Sequence, residues 1–123
     1  MKQTLLAMVL AGTMIPVASG SDREGNYHTV GGRTCDAFLK VRQDKGVSGA
    51  LRNAAWVGGY LSAYNRLQPD TVNILGATDL DGALAWIENW CRANPRQGEA
   101  KALEALTEAL YPRRHKTLKD TGR

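Results

Sequence analysis

The two cysteines of this 123-residue chain restrict its fold more than any other feature. Each cysteine lies in a mostly apolar pattern with helical spacing. The first pattern comprises Cys35, Phe38, Leu39 and Arg42, and the second comprises Leu80, Leu84, Ile87 and Cys91. Because residues three, four and seven positions apart share one face of a helix, we expect both cysteines to point towards a common core.

Residues 1–20, MKQTLLAMVLAGTMIPVASG, have the pattern of a cleaved signal peptide. Lys2 supplies the positive start, residues 5–15 form the apolar stretch, and small residues follow Pro16. The alternative is a membrane anchor, but the apolar stretch is shorter than the roughly 20 residues that span a bilayer. We therefore expect an exported, periplasmic protein without stable membrane insertion.

An oxidising compartment favours a disulfide between Cys35 and Cys91. In the chain-entropy estimate, closing a loop of this length stabilises a domain by about 4 kcal/mol, which is a large contribution for so small a protein. Two buried thiols and an intermolecular bridge are the alternatives.

The remaining apolar spacing predicts an all-α fold, a small four-helix bundle stapled by the disulfide. We expect a signal peptide at 1–20, a flexible lead-in at 21–32, a helical domain at 33–112 and a basic tail at 113–123. The helices are expected to run from 32–34 to Asp44, from Ser48 to Leu67, from Thr78 to Asn94, and from Asn94-Pro95 to Tyr111-Pro112. Thr34, Thr78 and Asn94 are the expected N-caps.

Gly58 and Gly59 interrupt the second helix, where each costs roughly 0.5–1 kcal/mol relative to Ala. We interpret the pair as a helix-contact point, at which Trp86, Trp90 or the Ala-rich face of the fourth helix lies close to the backbone. Burial of an aromatic side chain would outweigh the lost helix propensity. The alternative is a groove that admits a ligand or a side chain of a partner.

The formal charge of +4 is concentrated in the tail. Residues 21–112 carry ten Lys and Arg against eleven Asp and Glu, whereas residues 113–123 carry five against one. A basic tail could contact nucleic acid, anionic lipid or an acidic partner. Export argues against nucleic acid, and we expect a solvated, frayed terminus.

The sequence predicts no catalytic residues. His28 and His115 both lie in expected termini, and paired cysteines cannot act as nucleophiles. Asp79 and Asp81 are interpreted as the start of a helix rather than as metal ligands. Glu88 is interpreted as an exposed helix charge rather than as part of a sugar-binding cleft. We therefore expect a non-enzymatic protein without a metal or cofactor.

The segment TCDAFLKVR at residues 34–42, followed by a second cysteine at position 91, resembles the HdeA-like periplasmic proteins. The resemblance implies a small, secreted, all-helical fold with one disulfide. It also implies a protein-binding module of the stress-chaperone type. Such a chaperone requires apolar surface that can be exposed and a protonation trigger.

Residues 56–112 are also similar to the Tai-type immunity proteins of type VI secretion. The similarity lies in Gly59-Tyr60, residues 86–91, Asn94-Pro95 and the segment ALYP at 109–112. It implies an immunity protein that blocks a periplasmic, cell-wall-degrading effector. An accessory component of a secretion or conjugation system is a further alternative.

All three alternatives act by binding another periplasmic protein, a client or an effector, and a homodimer is also open. Tyr64 is a candidate contact residue because Tyr is favoured at interfaces, and Tyr27 is another. The 68–77 connection is more apolar than a free loop, which suggests either partner binding or packing over the core. Its candidate residues are Val72, Ile74 and Leu75.

Overall fold

The computed structural model describes residues 21–44 and 46–122. Its helices are Cys35–Gln43 (α1), Val47–Leu67 (α2), Leu80–Ala93 (α3) and Glu99–Leu110 (α4), with short 3₁₀ helices at Tyr111–Arg113 and Leu118–Thr121. The described residues contain two isolated β-bridges but no β-strand. The predicted all-α, four-helix fold is confirmed, and the predicted signal peptide at 1–20 lies outside the described residues.

The first two helices begin and end close to their predicted positions. Thr34 caps α1 by accepting a hydrogen bond from the Ala37 amide at 3.2 Å, and Asp44 is the C-cap. Helix α2 starts one residue before Ser48 and ends at Leu67, before Pro69. Apolar spacing therefore predicts the positions of both helices, and a side-chain cap contributes only at the start of α1.

The predicted N-caps of α3 and α4 are wrong. Asp79 rather than Thr78 caps α3, accepting a hydrogen bond from the Gly82 amide at 2.8 Å. Asn94 is the C-cap of α3, and α4 begins only at Glu99.

The late start of α4 follows from pairing between segments that are distant in sequence. The Cys35 amide donates to the Gln97 carbonyl at 2.9 Å, and the Glu99 amide donates to the Arg33 carbonyl at 2.8 Å. Residue Gly98 is consequently extended and lies opposite Thr34 in a β-bridge. The Gln97 carbonyl and the Glu99 amide are thereby hydrogen-bonded to residues 35 and 33, so these groups have partners without a longer α4.

The predicted disulfide is present. It joins the start of α1 to the end of α3, with the Cα atoms of Cys35 and Cys91 5.0 Å apart. Glu88 makes a second tie between these helices, because its carboxylate bonds Arg42 of α1 at 3.0 Å and also Arg92. Hydrogen bonds from Arg92 and Arg42 hold the pKa of Glu88 below its usual value. Glu88 is therefore an interhelical ion-pair residue and not a free surface charge.

A carboxyl group lies inside the core at the start of α4. The Glu99 side chain has no exposed surface, and Asn53 of α2 is 2% exposed. Among the described residues, neither side chain has a hydrogen-bond partner at ordinary distance and angle. Burial raises the pKa of Glu99, and the nearby Asn53 amide and Arg33 backbone offset only part of that rise. The fold therefore favours the neutral carboxyl.

The glycine pair of α2 is not packed against a tryptophan. A Cβ atom at Gly58 would lie 3.8 Å from the Leu80 side chain, and one at Gly59 would meet no described atom within 4 Å. Trp86 and Trp90 are partly buried against the core instead. The helix-contact interpretation thus reduces to an ordinary contact between Gly58 and α3, and it is wrong for Gly59, which opens onto a groove.

The tail packs on the 68–77 connection instead of fraying. The His115 amide donates to the Asn73 carbonyl at 2.9 Å. The Arg114 guanidinium donates to the Asp70 carbonyl and to the Thr71 hydroxyl, each at 3.0 Å. The connection itself is anchored by Ile74, which is fully buried. The expected frayed terminus is therefore wrong for residues 113–115, whereas residues 116–120 are exposed, as expected of a solvated tail.

Candidate functional site

A row of aromatic side chains runs along one face of α2. Trp56, Tyr60 and Tyr64 recur every four residues, and each is partly buried. The ring centroids of Trp56 and Tyr60 are 6.1 Å apart, with a tilt of 41° between the planes. Helical spacing places these rings side by side, and we call them, together with Tyr27, the aromatic face.

The segment before α1 lies across this face. The Trp56 indole N–H donates to the Val30 carbonyl at 2.6 Å. Gly31 has a φ of +84°, and a Cβ atom there would lie 3.2 Å from the indole ring. The absence of a side chain lets the backbone turn over Trp56. Residues 30–32 of the expected flexible lead-in therefore pack against α2.

Tyr27 ties the same segment to α4. Its hydroxyl donates to the Glu104 carboxylate and lies 3.3 Å from the Tyr60 hydroxyl. Glu104 also accepts from Lys101 at 2.6 Å. Burial and the bond to Glu104 raise the pKa of Tyr27, so the phenol stays neutral. Burial raises the pKa of Glu104, but the hydrogen bonds from Lys101 and Tyr27 outweigh it and leave the pKa below its usual value.

An open depression of about 530 Å³ lies between α2, α4 and the start of the tail. We call it the tyrosine pocket; its lining residues are Tyr27, Tyr60, Tyr64, Glu104, Thr107, Glu108, Tyr111 and Pro112. Burial raises the pKa of Tyr64, and the neighbouring Thr107 hydroxyl opposes that rise. The Glu108 carboxylate is exposed and has no ion-pair or hydrogen-bond partner among the described residues.

The structure separates the candidate contact residues named from the sequence. Tyr64 lies in the aromatic face, and Val72 is 37% exposed on the connection. Ile74 is wrong as a contact residue because it is fully buried in the core. Leu75 is partly buried and lines a second cavity beside Trp86.

That second cavity, of about 480 Å³, lies between α3, α4 and the tail. Apolar side chains from α3, α4 and the 68–77 connection line most of it, while Arg113 and His115 contribute polar groups. The exposed Arg113 side chain has no partner among the described residues, and His115 Nδ1 is buried without one. The cavity exists because the tail folds back over the bundle.

Sequence reasoning missed the contribution of α4 to the tyrosine pocket. Glu104, Glu108 and Tyr111 lie at positions i, i+4 and i+7, which places them on one side of the helix end. That spacing was a usable signal. Their proximity to Tyr27 and Tyr64 was not, because it depends on how α4 packs against α2.

Within residues 21–44 and 46–122, no three His, Cys, Asp or Glu side chains form a group that could hold a metal ion. None of the helices in this part of the chain combines the length and hydrophobicity needed to cross a bilayer. No protein family, curated protein or solved structure matches the chain.

Proposed function

We propose that this protein is an exported, non-enzymatic module that binds another periplasmic protein through its aromatic face. The observation that carries the proposal is the row of Trp56, Tyr60 and Tyr64, joined by Tyr27 and accessible through adjoining depressions. Aromatic residues are enriched at protein interfaces and supply much of their binding energy. Side chains that are already held by hydrogen bonds lose less freedom on binding.

The leading form of the proposal is a stress chaperone of the HdeA-like type. At neutral pH, Glu104 holds Tyr27, and with it the segment that covers Trp56. Because the pKa of Glu104 is lowered in the fold, this tie contributes stability above the unfolded pKa and loses it as the pH falls through the folded value. Acid would then release the segment and expose Trp56, while the Cys35–Cys91 bond keeps α1 and α3 joined.

A second form is an immunity protein that blocks a cell-wall-degrading effector at neutral pH. An inhibitor of this kind needs a surface that is shaped before binding. The contact of Trp56 with Val30 and that of Tyr27 with Tyr60 fix the aromatic face in the neutral protein, which supports this alternative.

Aggregation assays of a client protein at pH 2–3 and at pH 7 test the proposal and separate its two forms. The chaperone should suppress aggregation in acid and not at neutral pH. Tyr64→Ala should weaken suppression, whereas Leu51→Ala, which changes an exposed apolar residue elsewhere on α2, should not.

The immunity form instead predicts a neutral-pH complex with a periplasmic hydrolase, inhibition of that enzyme, and loss of both in Tyr64→Ala. If neither assay responds to Tyr64→Ala, the aromatic face is not the binding surface. If the purified protein itself degrades peptidoglycan, the non-enzymatic proposal is wrong.

A further inference from the structure

We propose that the tyrosine pocket receives an arginine side chain of the protein partner, held between phenol rings and the Glu108 carboxylate. This inference rests on the immunity form of the proposed function, since it names the chemistry that an effector would present to the protein at neutral pH. It concerns the protein at neutral pH.

The rings of the pocket suit a planar cation. Tyr27, Tyr60, Tyr64 and Tyr111 contribute to one depression, and raised pKa values keep Tyr27 and Tyr64 uncharged. A guanidinium is attracted to the electron-rich face of such rings and stacks on them better than an ammonium does. The chain already contains one such contact, because the Arg114 guanidinium lies 3.7 Å from the centroid of the Tyr111 ring.

The two carboxylates of the pocket differ in their direct partners, and the Arg114 guanidinium adds a positive charge beside the Tyr111 ring. Glu104 and Glu108 are one helical turn apart, and like charges at that spacing destabilise a helix. Glu104 is compensated by Lys101 at 2.6 Å and by the Tyr27 hydroxyl. Glu108 has no such partner among the described residues. A cation bound beside Glu108 would compensate the charge of this carboxylate. Arginine can bind a carboxylate through two parallel hydrogen bonds.

The dimensions of the pocket leave ample room for one long side chain. The depression measures about 530 Å³ and is open to solvent. One long side chain can enter from a docked protein surface while its backbone remains outside. The aromatic face continues on both sides of the pocket, towards Trp56 and towards Leu67, and would contact the partner around that anchor.

Titration of the ¹⁵N-labelled protein at pH 7 with N-acetyl-arginine amide tests the inference. N-acetyl-citrulline amide is the matched probe, because it has nearly the same shape and no charge. We expect saturable chemical-shift changes at Tyr60, Tyr64 and Glu108 with the arginine probe and none with the citrulline probe. Equal responses to both probes, or arginine-induced changes confined to other residues, would overturn the inference.

Variants test whether the charge and the rings both contribute. Glu108→Gln should weaken the arginine probe about two- to fivefold, as expected for an exposed ion pair. Tyr64→Leu should weaken it by a similar factor, whereas Tyr64→Phe should not, since the ring face remains. Glu24→Gln, at an exposed glutamate outside the pocket, is the control and should leave the affinity unchanged. Unaltered affinity in both Glu108→Gln and Tyr64→Leu, with folding verified by circular dichroism, would refute the assignment.

The failure of this inference can be distinguished from failure of the proposed function. One outcome is that Tyr64→Ala abolishes client protection or effector binding while the arginine probe fails to bind the wild-type protein. That result would support the protein-binding function and refute the arginine assignment of the pocket. If the arginine probe binds as described and neither function assay responds, the pocket assignment stands as a guanidinium site and the proposed function falls.

Discussion

The guanidinium carbon of Arg114 lies 3.7 Å from the centroid of the Tyr111 ring, at the point where α4 gives way to the tail. The same guanidinium donates to the Tyr111 carbonyl at 2.8 Å and to the Asp70 carbonyl at 3.0 Å. One side chain thus joins the end of the bundle, the 68–77 connection and the tail. The start of the basic tail, which in the sequence is only a run of positive charge, is therefore part of the fold.

Replacement of Arg114 by Lys should lower the free energy of unfolding by about 1 kcal/mol. Lysine keeps the charge but loses the planar stack on Tyr111 and the forked hydrogen bonds. Urea denaturation measures the change. Arg113→Lys is the matched control, because the exposed Arg113 side chain has no partner among the described residues. Equal destabilisation by both variants would contradict a specific role for Arg114.

Gly59→Ala should stabilise the protein by up to about 1 kcal/mol, since alanine is the better helix former and the added methyl group meets no described atom within 4 Å. Gly31→Ala should have the opposite effect and cost about 1–2 kcal/mol, because φ at Gly31 is +84° and the indole of Trp56 is close. Thermal melts of the two variants provide the comparison. A lower melting temperature for Gly59→Ala would restore the helix-contact interpretation.

Replacing both Cys35 and Cys91 by Ser should reduce the free energy of unfolding by about 2–5 kcal/mol. The double variant avoids leaving one reactive thiol. Denaturation of the wild-type protein with and without reductant gives an independent measurement of the same effect. The oxidised protein should weigh two hydrogens less than the reduced form, and identical stabilities in the two redox states would rule out a stabilising bridge.

Glu99→Gln should raise the free energy of unfolding at pH 7. The pKa of Glu99 in the fold lies above its usual value of 4.5, so the buried carboxyl favours the folded state while protonated. That advantage is lost as the pH rises through the folded pKa. The difference between variant and wild type should therefore shrink as the pH falls towards 4.5.

Denaturation curves at several pH values measure this linkage. Glu24→Gln, which changes an exposed glutamate outside the bundle, is the control and should not stabilise the protein. A loss of stability in Glu99→Gln at pH 7 would mean that the ionised carboxylate is engaged in a favourable interaction.

Glu104→Gln should loosen the segment that covers the aromatic face at neutral pH, because it removes the charged acceptor for Tyr27. Hydrogen exchange of the Trp56 indole N–H, which donates to Val30, reports the opening. In the wild-type protein, exchange should accelerate as the pH falls below the folded pKa of Glu104, once corrected for intrinsic rates. Unchanged protection in Glu104→Gln would show that the segment is held without this carboxylate.

The sequence by itself determined the helical architecture and the bounds of α1 and α2 to within a few residues, and it favoured the pairing of Cys35 with Cys91. These features follow from short-range causes. Apolar residues spaced for one helix face, a Thr N-cap and a Pro that ends a helix act within a few residues of one another. Two inward-pointing cysteines then had a single internal pairing available.

Only the tertiary structure decided the late start of α4, the burial of Glu99, the packing of both terminal segments and the assembly of the tyrosine pocket. Each depends on groups far apart in the chain, such as Tyr27 with Glu104 and Arg114 with Asp70. Whether a Tyr hydroxyl or an Arg guanidinium has a hydrogen-bond partner depends on how the helices pack. The spacing of residues in the sequence does not predict that packing. For the same reason, a basic run that alone predicts a solvated tail becomes ordered once carbonyls and a ring lie within its reach.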